Sequence, residues 1–348
     1  MINTRNLKDG KGTQSMSSAS LNPDAPIESQ LKEVNTAYTQ LKAAIHQRII
    51  GQEETVEHLL VTLFSGGHAL FVGVPGLAKT LLVQTLAESL GLDFNRIQFT
   101  PDLMPADITG SEILNVGDDG RRTMEFRQGP VFSNILLADE INRTPPKTQA
   151  ALLQAMQERS VTAGGQTYKL PPPFHVFATQ NPVEQEGTYP LPEAQLDRFT
   201  MMIELDYPIE QDEVEIIRST TQRERGPVSA VLEASTLEAI QAFIRDIPVA
   251  DHLLEKTVKL VRATRPSTPH APSFIQDFIE YGAGPRAGQH LILAAKARAA
   301  LRGNPTVDLE DLAALAKPIL RHRLILNFKA RAQGQSVDRL IDQLLTTL

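Results

Sequence analysis

The stretch that decides the fold is Gly73-Val74-Pro75-Gly76-Leu77-Ala78-Lys79-Thr80. An apolar run, Ala69-Leu70-Phe71-Val72, leads into it, and Leu81, Leu82, Thr85, Leu86 and Leu90 follow at helical spacing. That order is strand, glycine-bearing loop, helix. Backbone N–H groups at a helix N-terminus converge on one point, and the helix dipole favours negative charge there. Lys79 is then placed to reach the β- and γ-phosphates of a nucleotide, and the Thr80 hydroxyl to ligate Mg²⁺. The spacing fits G-x-x-x-x-G-K-[ST] except that Ala78 stands where the second glycine falls. An alanine suits that position if its φ is already helical. The competing reading is an ordinary strand–turn–helix, and the rest of the chain has to decide between them.

Composition sets the frame. A chain of 348 residues suggests two domains, and 41% hydrophobic residues supply a sizeable core. No apolar run approaches the roughly 18 residues of a membrane span. No apolar leader segment opens the chain, and there are no cysteines, so a cytoplasmic protein without disulfides or thiolate metal sites is expected. The 34 basic and 41 acidic residues leave a net charge of −7, which argues against a protein whose main task is wrapping nucleic acid.

Residues 1–26 are polar and poor in large apolar side chains, and read as a disordered tail. A helix with Leu31, Val34, Tyr38, Leu41 and Ile45 on one face follows, and Ile49-Ile50-Gly51-Gln52 breaks it before a second helix from Glu53 to Phe64. Besides 69–72, strand-like runs fall at Phe94–Phe99, Ile135–Ala138, His175–Thr179 and Met201–Leu205, alternating with helical patterns. The expected fold class is α/β, an αβα layered domain over 27–207 with a parallel sheet. Two segments do not fit that unit and read as β-hairpin insertions: 111–128, around Gly117-Asp118-Asp119-Gly120, and 158–170, around Gly164-Gly165. From 208 to 348 the periodicity is helical, which predicts a smaller all-helical domain. Ser235 and Ser336 are candidate N-caps there, Gly284-Pro285 opens a helix, and Gly303 stops it.

The strand 135–138 ends in Asp139-Glu140, beside the phosphate loop if the sheet is parallel. Asp139 can then hold Mg²⁺, often through water, and Glu140 can polarise a water for in-line attack on a γ-phosphate. The strand 175–179 leads to Asn181, which either orients that water or starts the turn before Pro182. Arg198, in Leu196-Asp197-Arg198-Phe199, either pairs with a surface acid or reaches a phosphate held by a neighbouring subunit. An arginine finger of that kind is worth about 10³–10⁵ in rate. Arg286, beside Pro285, is either a solvated arginine or a contact to the same phosphates. His68 and His175 read as packed strand residues. The run Arg321-His322-Arg323 reads as a solvated helix face, with contact to a neighbour or nucleotide as the alternative.

Together GVPGLAKT (73–80), NILLADEINR (134–143), FATQNP (177–182), EGTYPLPEAQLDRF (186–199), GPRA (284–287) and ILRHRLIL (319–326) resemble the MoxR family of AAA+ ATPases. The likeness runs from about residue 30 to the C-terminus. It implies a P-loop AAA+ domain followed by a helical lid, with ATP and Mg²⁺ as cofactors. It implies Walker A roles for Gly73, Pro75, Gly76, Leu77, Ala78, Lys79, Thr80 and Leu81, and Walker B roles for Asp139 and Glu140. It implies sensor 1 at Asn181, a finger acting in trans at Arg198, and sensor 2 at Arg286. Ile50 and Gly51, with Gln52, would lie near the adenine. The hairpins would face the central pore of a homo-oligomeric ring, and the resemblance implies a hexamer. Members resemble chaperones that mature or activate partner complexes, often with proteins carrying a von Willebrand factor A domain. Here the sequence shows GPRA where SPRA is more usual in the family. Two rivals remain: a nucleotide-gated scaffold with little turnover, and a nucleic-acid motor. Glu140, Asn181 and Arg198 together speak against the first, because binding alone needs none of them. Net charge speaks against the second.

Overall fold

The computed structural model describes residues 21, 24–116, 122–183, 187–222, 226, 228–269 and 271–347. In chain order its strands are β1 (Ala69–Val72), β2 (Phe94–Gln98), β3 (Gly110–Val116), β4 (Arg122–Gln128), β5 (Ile135–Asp139), β6 (Ser160–Ala163), β7 (Gln166–Lys169), β8 (His175–Gln180), β9 (Met201–Glu204), β10 (Ile279–Tyr281) and β11 (Ile325–Leu326). Its helices are α1 (Ile27–His46), α2 (Glu53–Phe64), α3 (Lys79–Leu90), α4 (Pro105–Thr109), α5 (Pro146–Glu158), α6 (Glu193–Leu196) and α7 (Glu210–Thr220). After these come α8 (Ala234–Asp246), α9 (Asp251–Ala263), α10 (Ser273–Phe278), α11 (Pro285–Leu301), α12 (Leu309–Leu320), α13 (Phe328–Ala332) and α14 (Val337–Leu345).

Five strands form one parallel sheet in the order β2-β5-β8-β1-β9. These are the five runs expected from the sequence, within a residue at each end. Every residue of β5 is buried, as a central strand covered on both faces must be. Because the strands are parallel, Gly73, Glu140 and Asn181 all emerge from the same end of the sheet. The β1–β9 pairing sets Ala69 beside Met201 and Val72 beside Glu204. Residues just before Met201 therefore lie at the opposite end.

Both insertions are hairpins. β3 and β4 pair from Gly110↔Gln128 to Val116↔Arg122, and their connecting turn at 117–121 lies outside the described residues. β6 and β7 are joined by Gly164 and Gly165, with φ of +56° and +78°, the double positive φ that a two-residue type I′ turn requires. The expected tail lies outside the described residues except for Leu21 and 24–26. Leu21 is packed against the core, so that end of the stretch is held.

The C-terminal part is helical with one departure. β10 and β11 pair antiparallel, Ile279 with Leu326 and Tyr281 with Ile325. Two connectors that pass side by side satisfy each other's backbone groups. Ser336 caps α14 as expected, accepting from the Arg339 N–H. Ser235 instead lies inside α8, whose N-cap is Glu233; the buried pair Leu232 and Leu237 brackets that start. One apolar cluster runs from Leu59 and Leu63 of α2 and Phe71 of β1 into Leu291 and Ala294 of α11 and Leu315 of α12. A second, on the other face of the sheet, holds Phe99, Leu136, Leu152, Val176 and Phe199. Burial of each such large side chain contributes about 1.5–3 kcal/mol. Among the described residues no helix is long and apolar enough to cross a membrane.

Candidate functional site

The loop 73–80 wraps the C-terminal tip of β1 and opens α3. A Cβ at Gly73 would come within 2.9 Å of the Leu205 carbonyl oxygen, so the loop can pass there only as glycine. Ala78 is the N-cap of α3 with φ +57°. That corrects the expectation of a helical φ: the alanine occupies left-handed space that glycine normally fills. The Lys79 Nζ donates to the carbonyls of Gly73 (2.6 Å) and Val74 (2.9 Å), folding back over the loop. Burial pushes its pKa below the usual lysine value, while Asp139 and Glu140 pull it back up.

Neighbouring strand tips bring the other groups in. The Thr80 hydroxyl donates to Asp139 Oδ2 at 3.5 Å. Thr179 of β8 donates to Asp139 Oδ1 at 2.5 Å and accepts the Glu140 N–H at 2.8 Å. From β2, Arg96 donates to Asp139 Oδ2 through Nε (3.1 Å) and Nη2 (2.6 Å) and to Gln98 Oε1 at 3.1 Å. Gln98 and Arg143 both donate to Glu140 Oε2, at 2.8 and 2.9 Å. Glu140 itself sits at φ +56°. Strained backbone of this kind persists only where surrounding contacts over-determine it, and it clusters at functional sites. Asn181 is buried at the tip of β8, and its Oδ1 accepts the Val183 N–H at 3.1 Å, which makes the turn at Pro182.

Ile50-Gly51-Gln52 lies along the same end. Gln52 Nε2 donates to the Leu77 carbonyl at 3.2 Å, and its Oε1 is buried without a partner. A Cβ on Gly51 would collide with Asp212 of α7 at 2.2 Å, so α7 closes that side. An orphaned acceptor beside the phosphate loop fits a ligand that brings an N–H donor. Thr80 Oγ1 and Asp139 Oδ2 are hard oxygens of the kind Mg²⁺ takes, and Arg96, which holds Oδ2 through Nε and Nη2, would have to yield for a cation to enter.

Arg198 and Arg286 are elsewhere. Arg286 Nη1 donates to Asp197 Oδ2 at 3.0 Å, and Arg323 Nε to Asp197 Oδ1 at 2.8 Å. Arg198 follows Asp197, with no hydrogen-bond or ion-pair partner for its side chain among the described residues. Arg323 also donates to the carbonyls of Phe199 (2.7 Å) and Thr200 (3.3 Å), just ahead of β9. This cluster sits off the N-terminal end of the sheet. A four-residue strand, about 13 Å, separates it from the phosphate loop. Within one chain the structure brings Lys79, Thr80, Asp139, Glu140 and Asn181 together, and leaves Arg198 and Arg286 apart from them.

The basic run 321–323 is corrected as well. It is a buried 3-10 turn, not a solvated face: the Arg323 side chain is 2% exposed, and His322 hydrogen-bonds the Phe199 carbonyl. Burial lowers the Arg323 pKa to about 10 against the pull of Asp197. His68 and His175 are packed as expected. Thr179, Arg96, Gln98 and Arg143 escaped sequence reading. Alternation in Arg96-Ile97-Gln98 shows that two polar groups share a face, but not that β2 lies beside β5.

Comparison with known proteins agrees with this geometry. Residues 68–201 match the model of the ATPase family associated with various cellular activities (AAA), and residues 273–344 match an AAA lid domain. Chaperone MoxR1 of Mycobacterium tuberculosis is 41% identical over 97% of this chain and 88% of its own length. Protein MoxR of Paracoccus denitrificans is 31% identical over 92% of this chain and 98% of its own. The chain belongs to the MoxR family of AAA+ ATPases. A crystal structure from Cytophaga hutchinsonii, described as a candidate ATPase, superposes on this MoxR-family chain with a TM-score of 0.86, 42% identity and coverage of 92% and 97%. The αβα-plus-lid architecture expected from the sequence is thus the family's, and the protein is a nucleotide-binding ATPase.

Proposed function

We propose that this chain is an Mg²⁺-dependent ATPase that works as a ring, with each catalytic centre completed by the next subunit. The observation that carries this is the separation of Arg198 and Arg286 from Lys79 by the length of the sheet. Arg96 and Arg143 stand at the site but are engaged by Asp139 and Glu140; for Arg198 or Arg286 to neutralise the γ-phosphate, it must come from another copy. Head-to-tail contacts that place the N-terminal sheet end of one chain against the phosphate loop of the next close into a ring when the rotation allows; six subunits is the number the family suggests.

In this reading the N–H groups of 73–80 cradle the phosphates, and Lys79 leaves the carbonyls of Gly73 and Val74 for the β/γ-oxygens. Gln52 Oε1 accepts from the base; adenine offers an exocyclic amine there. Thr80 and Asp139 would hold Mg²⁺, which would supply charge neutralisation at the phosphates. Glu140 takes the proton of the attacking water, and Asn181 orients it. Arg198 and Arg286 of the neighbour stabilise the charge that develops. The cycle would drive chaperone-like remodelling of a partner complex, in keeping with the name of the mycobacterial relative, with von Willebrand factor A proteins as the partner class. The hairpin β3–β4 exposes Leu114, Val116 and Met124 (54, 61 and 60%), an apolar patch on its two strands suited to a client.

The test is ATP turnover per chain against protein concentration. Wild-type activity per chain should rise with concentration. Glu140→Gln should bind ATP and lose about 10²–10⁴ in turnover. Arg198→Ala should also be inactive alone, and an equal mixture of the two variants should regain activity. Turnover that is flat on dilution, with Arg198→Ala fully active, removes the shared site.

A further inference from the structure

Two surfaces of the chain match each other in polarity and charge. The first is α7. None of its residues is buried, and Val214 and Ile217 are 50 and 63% exposed. On a helix, Glu210, Glu213, Val214 and Ile217 share one face. An apolar stripe edged by carboxylates is built to meet something apolar edged by cations.

The second is a groove of about 840 Å³ on the lid, between α9 and α11. Leu254 and Val258 offer apolar surface at 40 and 56% exposure. Arg245, Arg262, Arg265 and Lys296 rim it, and no carboxylate lines it. Among the described residues Arg265 and Lys296 donate only to carbonyl oxygens, of Ala283 and Arg245. The four positive charges face a groove that no acid lines; Asp246, near Lys296, stands outside it.

Position decides what fills the groove. α7 lies off the nucleotide end of the sheet, with Asp212 against Gly51. The groove begins at Pro285 and Gly288, which flank Arg286, and Arg286 is bound to Asp197 at the other end. A chain's own α7 and its own groove therefore point to opposite sides of the molecule.

We propose that α7 of one subunit seats in the α9–α11 groove of the next, with Val214 and Ile217 against Leu254 and Val258, and Glu210 and Glu213 among the arginines. This rests on the ring reading above and names its contact. Seating α7 carries the Gly51–Gln52 edge of one subunit toward Arg198 and Arg286 of its neighbour, so the contact that assembles the ring also completes the nucleotide site.

The chain contains no cysteine, which makes cross-linking clean. Val214→Cys and Val258→Cys are prepared separately, mixed in equal amounts with ATP, and oxidised. A disulfide should form in the mixture and not in either variant alone. In sedimentation, Glu213→Arg and Arg262→Glu should each raise the concentration for half-assembly at least tenfold, and mixing or combining the two reversals should restore it. If wild type assembles but no cross-link forms and neither reversal matters, the docking is wrong and the ring stands on another contact; the groove would then serve a client. A wild type that stays monomeric with ATP at every concentration, without a cross-link, removes both.

Discussion

At the residue scale, Ala78 is where the phosphate loop departs from its best chemistry. Its φ of +57° costs an L-residue about 1–2 kcal/mol, of which glycine would recover part while losing about 0.5–1 kcal/mol to unfolded-state entropy. Ala78→Gly should therefore raise stability by at most about 0.5–1 kcal/mol, read as a higher denaturation midpoint with an unchanged slope. A fall in midpoint would mean that the alanine methyl, packed against the main core, contributes more than the strain costs. Lys79, Thr80, Asp139 and Glu140 were legible in the sequence because each is fixed by its immediate neighbours: a loop that turns once, and a buried strand that ends. Thr179 and Arg96 were not. Their partners are 40 and 43 residues away, and only the order β2-β5-β8 makes them adjacent.

At the scale of elements, three histidines lock strands and helix into place as neutral groups. His68 accepts the Val176 N–H at Nδ1, tying the entry of β1 to β8. His175 Nδ1–H donates to the Gly67 carbonyl, leaving Nε2 to accept from Gln241 of α8. His290 of α11 accepts from Arg323. Burial drives their pKa values to about 3, 4 and 4, with the Arg323 charge adding to the effect at His290. The unfolded chain takes up these protons near pH 6.5, and the folded chain does not. Below pH 6.5 the unfolded state therefore binds more protons, and stability falls until the folded values near pH 4 are reached. Between pH 7 and pH 5 each histidine costs about 2 kcal/mol at most. Thermal midpoints should drop steeply over that range, and His290→Gln, which keeps an acceptor toward Arg323, should flatten the drop. A flat midpoint in wild type would mean that these rings titrate normally. The same elements explain why the run 321–323 misled a reading by charge. Three basic residues in a row look solvated, but the Asp197 carboxylate and four backbone carbonyls, of Asp197, Phe199, Thr200 and Ile319, give Arg323 enough acceptors to be buried.

At the scale of the whole molecule, the sequence divides at about residue 207 into alternating and helical halves, yet the packing does not divide there. α11 lies on α1 and α2, and α12 lies on β9. The apolar cluster passes from Leu59 and Leu63 through Ile203 to Leu291, Leu315 and Ile319 without a polar break. Asp197 ties Arg286 and Arg323, both beyond 207, to the entry of β9. Periodicity records the type of each element but not which elements share a core, so the change of pattern was visible and the shared interior was not. A chain cut after residue 207 would leave one face of α1 and α2 and one edge of β9 in water, and would strand the Asp197 carboxylate without its two arginines. The full chain should unfold in a single calorimetric transition. The fragment 1–207 should show no cooperative transition, or one lowered by well over 10 °C, since each 1 kcal/mol is worth about 2–4 °C in a domain of this size. Two separate transitions in the full chain, one matching the fragment, would mean that the lid is an independent body. A single transition would mean instead that the lid and the αβα layers are one cooperative unit through the shared core; under the ring reading proposed above, a displacement at Arg286 would then be felt by the layers that hold the phosphate loop.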